Sequence, residues 1–166
     1  MPSSRLRRNA AKKVIPLRTL TQRVLRAKRN GQSVIFTNGC FDLLHAGHVK
    51  LLEWAKRQGD VLVVGLNSDR SVRQLKGPRR PIVSQQDRAL LVAALESVDY
   101  VTIFHELTPQ RLIERLRPDV LIKGTDWGTG QIVGRDIVER NGGRVIRFPL
   151  IKGYSTSRLI ERIRHP

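Results

Sequence analysis

The chain has 166 residues, of which 40% are hydrophobic, so it can bury one sizeable core and suits a single domain. No apolar run approaches the ~18 residues of a membrane span. The basic N-terminus lacks the apolar segment of a secretory signal, so a cytoplasmic location is expected, although the composition also allows an organellar transit peptide. Cys40 is the single cysteine, which excludes an intrachain disulfide and fits a reducing compartment.

The net charge of +17 is unevenly distributed. Residues 1–32 carry ten lysines and arginines and no acid, whereas residues 33–166 carry 21 basic and 14 acidic residues. A basic arm of this kind can contact nucleic acid through phosphates, but no aromatic residue interleaves with the charges to stack on bases. We therefore expect a disordered tail over 1–13, a basic arm and helix over 1–32, and a globular domain over 33–166. Nucleic-acid contact is expected to be limited to nonspecific binding by the arm.

Apolar periodicity and capping residues predict that helices and strands alternate along the rest of the chain. In the first half, the predicted elements are a helix over 17–30, a strand over 33–37, a helix over 47–59, a strand over 60–66, a short helix over 68–75 and a basic loop over 76–81. A helix over 84–95 capped by Ser84, a strand over 100–104, a helix that Thr108 caps and Pro109 begins, and a strand over 119–124 follow. The last elements are a helix that ends at 141–143, a strand over 144–148 and a closing helix over 155–164.

The predicted strands are apolar throughout rather than alternating, which is typical of a parallel sheet that is buried on both faces. The sequence thus predicts a doubly wound α/β fold built on a five-stranded parallel sheet. Such sheets bind ligands at the carboxyl ends of their strands. The segment TNGCFDLLHAGH (37–48) follows the first predicted strand at such an end.

Two of the four histidines of the chain, His45 and His48, lie in this segment on either side of Gly47. One interpretation is structural, with one ring packed and the other exposed. A second is metal binding, although Cys40 is the only other nearby candidate ligand. A third is phosphate binding, because a helix N-terminus exposes N–H groups, imidazoles add donors, and Gly47 leaves room for a phosphate at the backbone. The site is neither a Walker loop nor a GxGxxG fingerprint.

HAGH (45–48) resembles the HxGH signature of the nucleotidyltransferase superfamily, which includes cytidylyltransferases, phosphopantetheine adenylyltransferase and class I aminoacyl-tRNA synthetases. The segment GCFDLLHAGHVKLLEWAKRQGDVLVVGLNSD is similar to the small cytidylyltransferase-like group over its whole length. IKGTDW and GYSTSRLI match later motifs of that group in the same order. The resemblance spans about 33–164 and implies a Rossmann-like HxGH nucleotidyltransferase fold.

Within that group, FTNGCFDLLHAGH, NSDRSVRQLKGPRRPI, IVG and NGGRV look most like the adenylyltransferase domain that makes ADP-heptose. The resemblance implies AMP transfer from ATP to D-glycero-β-D-manno-heptose 1-phosphate for lipopolysaccharide core synthesis. Many bacteria fuse this domain behind a sugar kinase, and a stand-alone form is expected here. The alternative is glycerol-3-phosphate cytidylyltransferase, which typically has Thr in place of Cys40 and an Arg-Thr-Glu run in place of residues 150–152. A basic nucleic-acid-binding module is the alternative from a different class.

The implied reaction is an in-line attack of a sugar phosphate oxygen on the α-phosphorus of ATP. A phosphate monoester is ionised at neutral pH because its second pKa is near ~6, so neither a general base nor a covalent intermediate is expected. Catalysis then consists of positioning and of stabilising negative charge. Mg²⁺ is expected to arrive with ATP and to be held mostly by phosphates and water. The group often dimerises, so a homodimer is also considered.

The resemblance implies catalytic roles for three residues: His45 and His48 would donate to the α-phosphate and the bridging oxygen, and Lys76, in the predicted loop, would pair with phosphates. An ordinary solvated lysine is the alternative for Lys76. Asp42 is expected to orient its loop, and Cys40 to be a small packed residue. The residues expected to bind the nucleotide are Asn38, Gly39, Cys40, Phe41, Asp42, Gly47, Arg88, Lys123, Gly124, Asp126, Trp127, Ser155, Thr156 and Ser157.

Overall fold

The computed structural model describes residues 9–124, 132–149 and 153–165. Within these ranges, one all-parallel sheet has the strand order β3-β2-β1-β4-β5. Its strands are β1 (Val34–Gly39), β2 (Val61–Asn67), β3 (Tyr100–Phe104), β4 (Val120–Gly124) and β5 (Arg144–Phe148). The predicted doubly wound α/β fold is therefore confirmed.

The helices alternate with these strands as the sequence pattern predicts. They are α1 (Leu17–Arg29), α2 (Ala46–Lys56), α3 (Asp69–Lys76), α4 (Gln85–Ala94), α5 (Gln110–Leu116), α6 (Arg135–Arg140) and α7 (Thr156–Arg164). Three of them begin at serine caps, because the hydroxyl oxygens of Ser68, Ser84 and Ser155 each accept a hydrogen bond from the backbone N–H three residues later. None of the helices in the described ranges is long and apolar enough to cross a membrane.

Both faces of the sheet are buried because successive strand residues point to opposite helix layers. On β1, Ile35 packs in the cluster that contains Leu52 of α2, whereas Phe36 packs in the cluster that contains Leu20 of α1. The chain leaves β1 towards β2 and β3 on one side, and returns to β4 and β5 on the other. The carboxyl ends of β1 and β4 therefore flank the point where the direction of winding reverses, which is where such sheets bind ligands.

The expected disordered tail over 1–13 is wrong for its last part. Residues Ala10–Lys13 form a 3₁₀ helix, and Lys13 is buried with its ammonium group donating to the carbonyl of Leu95. Val14 then pairs with Val101 of β3 in a parallel bridge. A prediction of disorder from charge alone fails for this segment, because the apolar residues next to its lysines pack against the core.

Two boundaries also differ from the predicted ones. Lys76 is the last residue of α3 and does not lie in a loop, because the helix continues until Gly77, whose φ of +96° ends it. Helix α5 begins at Gln110, one residue later than predicted. Pro109 occupies the N-cap position with a ψ of 10°, and no side chain there makes a capping hydrogen bond, so Thr108 is not the cap.

Candidate active site

The two histidines lie at the N-terminus of α2, directly after the carboxyl end of β1. His45 is the N-cap residue and His48 is the third helical residue. Their rings stack with centroids 3.8 Å apart and planes 18° from parallel. The backbone N–H of His45 donates to Nδ1 of His48 at 3.4 Å. A neutral His48 that accepts at Nδ1 carries its proton on Nε2, so the cap leaves Nε2–H as its donor.

Burial keeps both imidazoles neutral at neutral pH. Burial, with a smaller contribution from the neighbouring His45, lowers the pKa of His48 to about 4, although Asp42 acts in the opposite direction. Burial also lowers the pKa of His45. Neutral imidazoles at a helix N-terminus present hydrogen-bond donors next to the positive end of the helix dipole, an arrangement that favours an anion.

The loop that delivers the histidines is held in an uncommon backbone conformation. Phe41 and Leu43 have φ values of +48° and +51°, which lie in the left-handed region that non-glycine residues rarely adopt. The buried ring of Phe41 lies 5.1 Å from the ring of His48. Strained residues of this kind persist only where the surroundings fix them, and they concentrate at functional sites.

The side of Gly47 from which a side chain would project is occupied by protein atoms, so the predicted room for a phosphate does not lie there. A Cβ at this position would lie 2.8 Å from Cβ of Tyr154 and 3.0 Å from the His45 ring. The ring of Tyr154 is roughly parallel to that of His45 at 6.4 Å, and Nζ of Lys50 lies 5.1 Å from the Tyr154 centroid. Gly47 therefore permits the chain before α7 to pack on the first turn of α2.

Asp42 is buried and engaged entirely with the protein. Its Oδ2 accepts from Nε of Arg80 at 2.7 Å and from the N–H of Ile82 at 2.8 Å, and Oδ1 accepts from the N–H of Val83 at 3.0 Å. Burial works to raise the pKa of Asp42, but these hydrogen bonds outweigh it and hold the pKa below its usual value. The carboxylate is therefore ionised, and it orients the chain around it as predicted.

Arg88 is 1% exposed, and its guanidinium nitrogens donate hydrogen bonds to protein groups. Nε donates to the Val83 carbonyl at 2.9 Å, Nη1 donates to the Cys40 carbonyl, and Nη2 donates to the Asn67 carbonyl at 3.0 Å and to Oδ1 of Asp69 at 2.8 Å. Arg88, which the sequence predicts to contact the nucleotide, is thus buried in the structure. There it joins the β1–α2 loop to the end of β2 and the start of α3.

The switch point between β1 and β4 brings three of the predicted residues together. Nζ of Lys123 donates to Oδ1 of Asn38 across the two strands, and Gly124 ends β4. The buried hydroxyl of Thr37 donates to the Ile122 carbonyl at 3.1 Å one pair further in. The predicted partners Asp126 and Trp127 lie outside the described residues.

The three hydroxyl residues after Gly153 have different roles in the structure. Ser155 caps α7 by accepting from the N–H of Arg158 at 3.2 Å. The hydroxyl of Thr156 donates to the main-chain carbonyl of Asp42 at 2.7 Å. Ser157 is exposed and lines a cleft. Of these three hydroxyls, that of Ser157 makes no hydrogen bond to the described part of the chain.

Helix α7 separates two basic clefts. One has a volume of about 450 Å³ and is lined by Lys76, Arg79, Arg80, Ser157, Ile160, Glu161, Arg164 and His165. The other has a volume of about 440 Å³ and is lined by His45, Gly153, Tyr154, Ser155, Arg158, Leu159 and Arg162. The structure therefore places Lys76 and His45 in different clefts.

Sequence reasoning missed Arg158 and Arg162, although their i, i+4 spacing after the hydroxyl run would have placed both on one face of the helix.

Neither a thiolate nor a protein metal cage is present among the described residues. Burial raises the pKa of the Cys40 thiol, which agrees with its expected packing role. Within the described ranges, no cluster of three or more His, Cys, Asp or Glu side chains could hold a metal ion. Asp42, the carboxylate nearest the histidines in sequence, already uses both oxygens.

A parallel sheet that presents a helix N-terminus with two neutral imidazoles at its switch point, next to basic clefts, is suited to binding phosphate groups, as an enzyme of the nucleotidyltransferase class requires. A profile described as cytidylyltransferase-like matches residues 36–162. The chain therefore belongs to the cytidylyltransferase-like family.

Known proteins extend this similarity. The bifunctional protein HldE of Syntrophotalea carbinolica is 57% identical over 136 residues, which cover 82% of this chain and 28% of that protein. The HldE of Koribacter versatilis is 52% identical over 153 residues, which cover 92% of this chain and 32% of that protein. The chain thus spans less than a third of the length of these relatives. The crystal structure of the lipopolysaccharide core biosynthesis protein from Thermoplasma volcanium GSS1 matches with a TM-score of 0.61 at 28% identity, covering 75% of this chain and 100% of that one.

Proposed function

We propose that the chain transfers AMP from ATP to D-glycero-β-D-manno-heptose 1-phosphate, forming ADP-heptose and pyrophosphate for lipopolysaccharide core synthesis. The observation that carries the proposal is the similarity to HldE proteins, at 57% identity over 82% of the chain. The segments that resemble the ADP-heptose-forming domain include the histidine loop and residues 67–82. The lipopolysaccharide core protein of Thermoplasma volcanium supports the same assignment.

In the proposed reaction, an oxygen of the acceptor phosphate forms a bond to the α-phosphorus while the bond from that phosphorus to the bridging oxygen breaks. Pyrophosphate leaves with the electron pair of that bond. The stacked imidazoles at the N-terminus of α2 supply neutral donors to the oxygens on which negative charge accumulates, and the helix dipole adds to their effect. Because burial lowers the pKa of both histidines, neither ring carries an extra proton to transfer in the free enzyme at neutral pH, so their proposed role is hydrogen bonding.

The remaining predicted site residues are assigned either a direct contact with the substrates or a role in positioning other residues. Asn38, Lys123 and Gly124 flank the switch point, where the nucleoside would lie. Asp126 and Trp127 are assigned to the nucleoside from the resemblance of IKGTDW alone. Lys76 and Ser157 would contact phosphates from the walls of one cleft. Gly39, Cys40, Phe41 and Gly47 would shape the loop that carries the histidines. Asp42, Arg88, Ser155 and Thr156 would act through other residues, because their polar groups already bond to the protein.

Magnesium is proposed to enter as the ATP complex. Because Asp42 is fully engaged, the described residues offer no set of carboxylates for the ion. The phosphates and water would therefore hold it, as is common for Mg²⁺ at nucleotide sites.

The test is a matrix in which purified protein meets each of ATP and CTP with each of heptose 1-phosphate and glycerol 3-phosphate. Pyrophosphate release is measured, and the sugar nucleotide is identified by mass. Release is expected only with ATP and the heptose. Turnover with CTP and glycerol 3-phosphate instead would assign the chain to the cytidylyltransferase alternative. Sequence-selective DNA binding without any pyrophosphate release would favour the nucleic-acid-binding class.

A further inference from the structure

Asp42 is bonded to the first wall of the 450 Å³ cleft through its side chain. This carboxylate has no solvent exposure, and its three accepted hydrogen bonds come from Arg80, Ile82 and Val83. Arg80 itself lines the cleft, and residues 76–80 supply the three basic groups on that wall. The hydrogen bonds of Asp42 thus fix the position of this basic segment relative to the histidine loop.

The opposite wall is bonded to Asp42 through a different atom. The main-chain carbonyl of Asp42 accepts from the hydroxyl of Thr156, the first residue of α7, at 2.7 Å. Helix α7 carries Ser157 and Arg164 on its cleft side. Asp42 therefore holds one wall by its side chain and the other by its backbone.

The two walls differ in charge. Lys76, Arg79 and Arg80 face Arg164 across the cleft, and Glu161 is the single acidic residue among the lining residues. The excess of basic over acidic side chains around the cleft favours a bound anion. The buried carboxylate offsets the charge of Arg80, and the bond to Thr156 opposes displacement of α7.

We propose that Asp42 is a positioning residue that sets the separation of these two walls, and that the cleft between them binds a polyphosphate anion. Asp42 does not itself contact the anion, because its carboxylate is buried and would repel phosphate. The assignment rests on the proposed function, in which the pyrophosphate portion of ATP is that anion, because the α-phosphate is assigned to the histidines. Correct spacing matters because a displacement of about 1 Å in a positioning group can cost ~10²-fold in rate.

Two substitutions break the two bonds separately. Asp42→Asn replaces one carboxylate oxygen with an N–H donor that faces other donors, which releases the first wall. Thr156→Val removes the hydroxyl with little change in size, which releases the second, and Thr156→Ser retains the hydroxyl as its matched control. Asp87→Asn is the control for charge, because Asp87 is exposed on α4 and bonds to Ser84.

The measurements are the dissociation constant for inorganic tripolyphosphate, kcat and KM for ATP, and hydrogen exchange at the amides of Ile82 and Val83. Both Asp42→Asn and Thr156→Val are expected to weaken tripolyphosphate binding about tenfold or more and to raise KM more than they lower kcat. Thr156→Ser and Asp87→Asn should stay within about twofold of the wild type. Exchange at the two amides should accelerate in Asp42→Asn alone.

The double variant separates positioning from direct contact. If both residues serve one spacing, Asp42→Asn with Thr156→Val should bind tripolyphosphate little worse than the weaker single variant, whereas independent contacts would give additive losses. Wild-type affinity in both single variants, or strict additivity in the double, would overturn the assignment. If Asp42→Asn does not fold, Asp42→Glu, which keeps the charge and lengthens the side chain, takes its place, and wild-type affinity in that variant would overturn the assignment. A wild type that binds tripolyphosphate as predicted but transfers no nucleotidyl group would sink the proposed function and leave this inference standing.

Discussion

His45 and His48 combine two properties that a lone surface histidine lacks. Each is neutral because burial lowers its pKa, and the cap at the start of α2 fixes which nitrogen of His48 carries the proton. A donor fixed in this way costs no reorganisation when charge develops on a phosphoryl oxygen. Under the proposed function, this property would account for the position of both imidazoles at one helix N-terminus.

Replacing His48 by alanine is expected to lower kcat by about 10²-fold, with a much smaller change in ATP affinity. The reason is that a preorganised donor gains strength mainly in the transition state. Steady-state kinetics on folded protein, with binding of a non-hydrolysable ATP analogue, would measure the two effects. His105→Ala is the control, because His105 is exposed and lies at the end of β3. A His48→Ala protein that loses stability but keeps its turnover per folded molecule would support a packing role instead.

The elements that could be predicted from the sequence are those with local signals. Strands β1 and β2 are predicted by the apolar runs that form them, and the start of α4 is predicted by the serine directly before it. In each case the signal and the element lie within a few residues of one another. The role of Arg88 could not be predicted, because its acceptors at Cys40, Asn67 and Asp69 are distant in sequence and only the fold brings them together. The same applies to Thr156, whose acceptor is 114 residues away in sequence.

Arg88→Met is expected to destabilise the protein by about 3 kcal/mol, because it leaves buried carbonyl groups and the Asp69 carboxylate without their donor. Urea unfolding would give the free energy. Arg111→Met is the matched control, since Arg111 is exposed and its ion pair with Glu106 is 3.5 Å long, so its loss should stay within about 0.5 kcal/mol. If Arg88→Met were as stable as the wild type but failed to bind ATP, Arg88 would be a direct ligand.

At the scale of the whole molecule, α1 belongs to the same core as the strands, because Leu20, Val24 and Ala27 are buried against them. The division at residues 32 and 33 stays a prediction, as does the homodimer. The basic residues of α1 lie mostly on its exposed side, so nonspecific contact with polyanions remains the expected property of this segment.

The stability of the ligand-free protein is expected to fall as the pH decreases from about 6.5 to 4. The pKa of His48 is lowered to about 4 in the folded state, so the unfolded chain binds more protons in this window. Each such proton changes the free energy of unfolding by at most about 1.4 kcal/mol per pH unit. Urea titrations at several pH values would measure the slope, and His48→Asn should reduce it. An unchanged slope in that variant would show that other groups cause the loss.

The bridge between Val14 and Val101 has a consequence for the behaviour of shortened chains. Strand β3 lies at the edge of the sheet, and its sequence YVTIF has no charge and no proline, which is the type of edge along which copies of a protein associate. The Ile15 N–H also donates to the Val101 carbonyl, so the chain before α1 occupies part of this edge. Deletion through residue 15 is therefore expected to cause time-dependent aggregation with thioflavin T binding, whereas deletion through residue 8 is not. Light scattering on both truncated forms at equal concentration would distinguish them, and equal solubility would mean that the edge needs no cover.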